Sequence, residues 1–99
     1  MGQGDWRDQL NFNPVGAHTQ NGTLSSAVTL TIPAAATKIM LQGQTQNIRY
    51  TLDGTAPTTS KGFQLKAGDP PVILSLGRSS AIKLIEEAAT AVLDYQFGD

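Results

Sequence analysis

One histidine, His18, and eight carboxylates are the groups in this chain with the plainest capacity for acid–base work. The carboxylates are Asp5, Asp8, Asp53, Asp69, Glu86, Glu87, Asp94 and Asp99. Cleaving a glycosidic bond takes two carboxylates that face each other across a cleft, and no spacing here brings a specific pair together. A Ser/His/Asp triad would have to place its base on the stretch around His18, which has no apolar periodicity. One histidine without cysteine does not build the usual zinc site. Asp53 and Asp69 stand beside Gly54 and Gly68, where an aspartate mostly bonds its own backbone. Asp53-Gly54-Thr55-Ala56-Pro57 also lacks the alternating oxygen ligands of a calcium loop. Neither glycine-rich phosphate-binding pattern, GxxxxGK[ST] or GxGxxG, occurs. The expectation is a non-enzyme with no catalytic residue, metal or cofactor.

Whatever this chain does must therefore rest on the surfaces its elements present. Its 99 residues suit a single domain with one core. Charged residues are only 15% of the chain, and Thr, Gln, Asn, Ser and Gly supply much of the polarity. That composition fits a β domain with a neutral polar exterior and not a disordered tail, which carries high charge. The net charge is −1, and the seven basic residues are scattered, so no stripe exists to displace counterions from nucleic acid. With no cysteine, disulfides are excluded. The first residues lack the apolar core of a secretory leader, and no apolar run approaches a membrane span. A soluble protein with no membrane partner is expected. Asn21-Gly22-Thr23 matches the glycosylation acceptor only formally in that setting.

From Ala27 onward the apolar positions alternate. Val28, Leu30 and Ile32 predict a strand that Pro33 ends for want of an N–H. Ile39 and Leu41 define one face of a strand over 37–43, with Lys38 and Met40 on the other. Ile48, Tyr50 and Leu52 form the inward face of a third strand, with Arg49 and Thr51 outward. Asp53-Gly54 starts a tight turn, and residues 53–62 read as a wider loop. Phe63 and Leu65 resume the alternation, Ala67-Gly68-Asp69-Pro70 turns, and Val72, Leu74 and Leu76 make the next strand. Ile73 has the option of a second apolar surface, and residues 77–80 close the strand. Tyr50 and Phe63 read as core residues.

Residues 81–96 support two readings. Ile82, Ile85, Ala89, Val92 and Gln96 approach helical spacing, which would give an α+β domain. Alternatively, Ile82 and Leu84, a turn at Glu86–Ala89, and Ala91, Leu93, Tyr95 and Phe97 make a β-hairpin. Five strands upstream favour the hairpin. The expected fold is thus all-β, a small antiparallel β-sandwich or jelly-roll-like domain over 27–99. Residues 1–26, without periodicity, read as an extended N-terminal arm. Trp6, Arg7, Leu10 and Phe12 are its candidate interaction residues, because aromatic anchors remove much area from water at low entropy cost.

Ile48-Arg49-Tyr50-Thr51-Leu52-Asp53-Gly54-Thr55-Ala56-Pro57-Thr58, then Gly62, Leu65 and Ala67-Gly68-Asp69, resembles a group of small virion-associated proteins of tailed bacteriophages and prophages. Tyr95-Gln96-Phe97 resembles their terminal aromatic pair. Asp53, Gly54 and Pro57 form the turn motif of that resemblance, which covers about half the chain but not the arm. It implies a β-sandwich on the phage particle: a structural, oligomeric capsid decoration or cement protein, partnered by the major capsid protein or other virion proteins. A neck or tail component is the alternative location. Residues 50–58 also resemble the accessory β-sandwich of chitobiase-like enzymes, although Leu52 replaces a more usual polar residue and the large catalytic domain that usually accompanies that module is not expected here. A carbohydrate-binding or adhesion module is accordingly the second functional expectation.

Overall fold

The alternating stretches become eight strands and no helix among the described residues of a computed structural model, which covers residues 12–78 and 80–99. In chain order they are β1 (Thr19–Asn21), β2 (Val28–Thr29), β3 (Lys38–Gln44), β4 (Ile48–Thr51), β5 (Phe63–Leu65), β6 (Val72–Ser75), β7 (Lys83–Glu86) and β8 (Val92–Gly98). Two four-stranded sheets form, in the orders β1-β8-β3-β6 and β2-β7-β4-β5. Every pairing between strands is antiparallel. β1 pairs with β8, β2 with β7, β3 with β6 and β4 with β5, the pattern of one long hairpin rolled into two layers. That strand order is a jelly roll.

The core follows the period of two. Ile39 and Leu41 of β3 are fully buried while Met40 between them is half-exposed. Gly43 continues that inward row, and a Cβ there would sit 3.4–3.5 Å from Leu65 and Ile48 of the facing sheet. The missing side chain lets the two layers approach. Ile48, Ile82, Leu84, Ala91 and Leu93 complete the centre, all fully buried. Leu30 and Ile32 keep the predicted inward direction beyond the short β2, and Leu30 donates its N–H to Ile82 at 3.0 Å. Ile73 lies opposite Met40 on the outer face of its sheet, both half-buried.

The helical reading of 81–96 is overturned. Ile85 lies opposite Arg49 on the outer face and Ala89 is exposed, so the proposed helical stripe buries nothing as a unit. The hairpin expectation is corrected in its pairing. β7 and β8 are strands with the predicted inward faces, but they belong to different sheets. Residues 87–91 carry the chain across the sandwich, because in a rolled hairpin β7 and β8 pair with β2 and β1. The loops at 45–47 and 87–91 each hold a threonine at positive φ, Thr45 at 67° and Thr90 at 76°. The Thr45 hydroxyl donates to the Thr90 carbonyl, tying these two strained turns together.

The second half of the expected arm is part of the sandwich. Pro14 bridges Gly98, Val15 N–H donates to Phe97 O at 2.8 Å, and Asn13 and Asp99 exchange backbone bonds at 3.0 and 2.9 Å. Leu24, which shows no periodic signal, is a fully buried core residue whose carbonyl accepts from Glu86 N–H at 3.0 Å.

The connection from β3 to β4 is only Thr45–Asn47, so Gln44 and Ile48 share one end of the sandwich. Register then places Lys38, Ser75 and Gly98 at the opposite end, with Thr51, Phe63 and Lys83 of the other sheet. Pro14 opposite Gly98 puts the entry of the N-terminal segment at that same end.

Candidate functional site

The segment from Tyr50 to Phe63 builds an open surface with an exposed aromatic at one end of the sandwich. β4 runs into Asp53, whose carboxylate accepts the Thr55 N–H at 3.0 Å, closing an Asx turn. That backbone bond, first among its contacts, holds the Asp53 carboxyl below the usual range. Gly54 adopts φ +86°, which its missing Cβ permits, and its N–H reaches Ala81 O at 3.0 Å. Thr51 Oγ1 donates to Thr55 O, and Pro57 is buried beneath the loop. Thr58 and Lys61 exchange backbone bonds at 3.0 and 3.2 Å before Gly62, at φ +125°, returns the chain to β5. The expected turn, wide loop and returning strand all form.

Phe63 departs from the core assignment. It lies directly opposite Tyr50, on the sheet face that also carries Ile48 and Leu65. Along that face exposure rises from 0% at Ile48 and 3% at Leu65 to 64% at Phe63. The facing sheet has stopped covering the inner surface by the time β5 begins. Tyr50 is half-buried against the core, and burial raises its hydroxyl pKa. The two rings stand 5.7 Å apart, tilted by 43°. Thr51, Leu52, Asp53, Thr55, Lys61, Gly62 and Phe63 line an open concavity of about 530 Å³ beside them. The sequence signal for this exposure is the Lys61-Gly62 pair just before Phe63, which puts the aromatic at the mouth of a loop.

No family model, curated protein or solved structure matches this chain. The surfaces themselves therefore carry the functional reading.

On the outer face of the same sheet, Glu87 Oε2 accepts from Arg49 Nε at 2.7 Å and from Gln64 Nε2 at 2.8 Å. Arg49 Nη1 also donates to Gly62 O at 3.0 Å, so one cluster braces β4, β5 and the segment after β7. The Gln64 amide first, and Arg49 next, hold the Glu87 carboxyl below the usual range. Because the folded value is depressed, the stabilisation is present above the unfolded carboxylate range and is lost as pH falls through the folded pKa. Glu87→Gln is expected to flatten the acid limb of a thermal-stability profile relative to the native chain. Superimposable acid limbs would show that the cluster contributes nothing.

His18 finds a carboxylate that the spacing did not reveal. Its Nε2 lies 3.0 Å from Asp94 Oδ1, and the Gln44 amide donates to the other oxygen of the same carboxylate. An imidazole–carboxylate pair orients a base in hydrolases only when a nucleophile sits beyond it. Here Asp94 is shared with Gln44, and the geometry clasps the segment before β1 onto β8 and β3. Asp69 caps its own turn through an N–H donated to Lys66 O at 3.2 Å, with Gly68 at φ +84°. No group of three or more His, Cys, Asp or Glu among the described residues is arranged to hold a metal ion.

Of the interaction residues read from the arm, Trp6, Arg7 and Leu10 lie outside the described residues. Phe12 lies against this chain's own Gly98, where a Cβ would fall 2.6 Å from its ring. Asp53, Gly54 and Pro57 hold the turn and the loop beneath it.

Proposed function

We propose that this chain is a non-enzymatic structural protein of a tailed-bacteriophage virion, a decoration or cement protein on the head shell. Its partners are the major capsid protein and further copies of itself. The observation that supports the reading is the coherence of the segment carrying the resemblance. Ile48 to Asp69 form one unit: β4, the Asx turn at Asp53, the buried Pro57, the return through Gly62, Leu65 in the core, and the turn at Gly68. The jelly-roll order agrees with this use, since such sandwiches recur in viral capsid and lectin domains. A fold hosts many functions, so the site and its partners must decide between them.

The glycan-binding reading draws on the same exposed aromatic. A sugar platform works best with exposed, coplanar rings, and Tyr50 and Phe63 are tilted by 43° with Tyr50 half-buried. A protein contact uses that surface better, because one projecting ring beside an apolar concavity is the form of an interface anchor. Imaging particles assembled with and without the protein tests the proposal. Added density on the head shell is expected, and density confined to neck or tail would relocate the protein.

A further inference from the structure

We propose that the Phe63 end of the sandwich is the socket for the N-terminal segment, residues 1–11, of a second copy of this chain. This deepens the virion reading by naming what the arm binds. A lone exposed phenylalanine means little by itself, since apolar atoms make up much of any protein surface. Phe63 is not such a case. Among the described residues it is the only large hydrophobic side chain classed as exposed. It lies on the inward face of its sheet, continuous through Tyr50 with the core. It also borders the apolar concavity formed with Thr51, Leu52, Thr55 and Gly62.

The occupant is identified by where the chain leaves the sandwich. Residues 12–21 run antiparallel to β8, with Asn13 bonded to Asp99 and Pro14 opposite Gly98. Followed backwards, the described backbone reaches Phe12 beside the C-terminal end of β8, at the same end of the sandwich that bears Phe63. Eleven residues precede Phe12. Extended, they reach roughly 36–40 Å, enough to cross to the matching end of a neighbour. They bring Trp6 and Leu10, apolar groups suited to the Phe63–Tyr50 surface, and Asp5 and Asp8 on either side of Trp6. Lys61, exposed on the wall of the concavity, offers those carboxylates a positive charge, which it shares with Asp53 on the same wall, itself bonded by Thr55 N–H. Copies placed end to end would exchange arms reciprocally, the self-complementary arrangement of a two-fold contact.

Trp6 is the only tryptophan, so its emission reports the docking directly. The experiment compares the full chain, Phe63→Ser, and a chain lacking residues 1–11, by sedimentation and tryptophan emission over a concentration series. The full chain is expected to self-associate, with Trp6 emission shifting to the blue as it does so. Each variant should weaken self-association at least tenfold. An equimolar mixture of the two should recover a two-chain species with blue-shifted emission, because one supplies the arm and the other the socket. Unaltered association of Phe63→Ser, or a mixture that stays monomeric, overturns the proposal. So does emission independent of concentration, which would place the arm on its own chain or on no surface at all. These measurements need no phage particle. Association in solution without attachment to shells would therefore sink the virion reading and leave the arm exchange standing.

Discussion

In the monomeric chain at high dilution, Leu84→Ala is expected to destabilise the domain by about 2–5 kcal/mol, and Phe63→Ser to change stability by less than about 1 kcal/mol. Both residues point to the inner face of the β2-β7-β4-β5 sheet, and both lie opposite Tyr50, one on each side. Leu84 is fully buried, and its removal both forfeits transfer free energy and leaves a cavity between the layers. For a domain of this size the loss lowers the melting temperature by roughly 10–30 °C. Phe63, 64% exposed, gives up little beyond its ring contact with Tyr50. Thermal and urea unfolding of the two variants measure the contrast. Equal losses would mean that the facing sheet covers Phe63 after all, and the socket would not exist.

The second large effect concerns where the N-terminal segment stops being dispensable. At concentrations where the full chain is monomeric, removing residues 1–11 is expected to change stability by no more than about 0.5 kcal/mol. Removing residues 1–18 deletes the Asn13–Asp99 exchange, the Val15–Phe97 bond and the His18–Asp94 clasp. Net backbone bonds contribute about 1 kcal/mol each, partly offset by the entropy regained when the segment is freed, so a loss of about 1–3 kcal/mol is expected. That longer deletion also strips the edge of β8 around Gln96–Gly98, and bare edges recruit other chains. Melting temperature and size-exclusion profile of the two truncations test this. A chain lacking 1–18 that melts and elutes like the chain lacking 1–11 would show that residues 12–18 are a loose arm.

The contrast between these truncations shows what the residue pattern made legible and what it did not. Alternation gave the inward faces correctly for Ile39 and Leu41, for Ile82 and Leu84, and for Ala91, Leu93 and Phe97, because period two determines which side chains share a face. It carries no information on which strand lies alongside, so β7 and β8 looked like partners when each pairs with a strand more than fifty residues earlier. Leu24 escaped notice because a single leucine between polar neighbours has no period. Residues 12–21 looked structureless because an edge strand held by backbone bonds needs no apolar alternation. Asp53 and Gly54 were readable as a turn because the chemistry is local: a carboxylate two residues before an N–H, then a residue free of a Cβ. Phe63 was misassigned because alternation predicts the side it faces but not whether anything covers that side.

The virion assignment is the central claim, and difference imaging of particles with and without this protein tests it most directly. Repeated density on the outer surface of the head shell is expected, restored when purified full-length protein is added back to particles lacking it. Heads indistinguishable in the two preparations, with purified protein leaving no density after add-back, would contradict it.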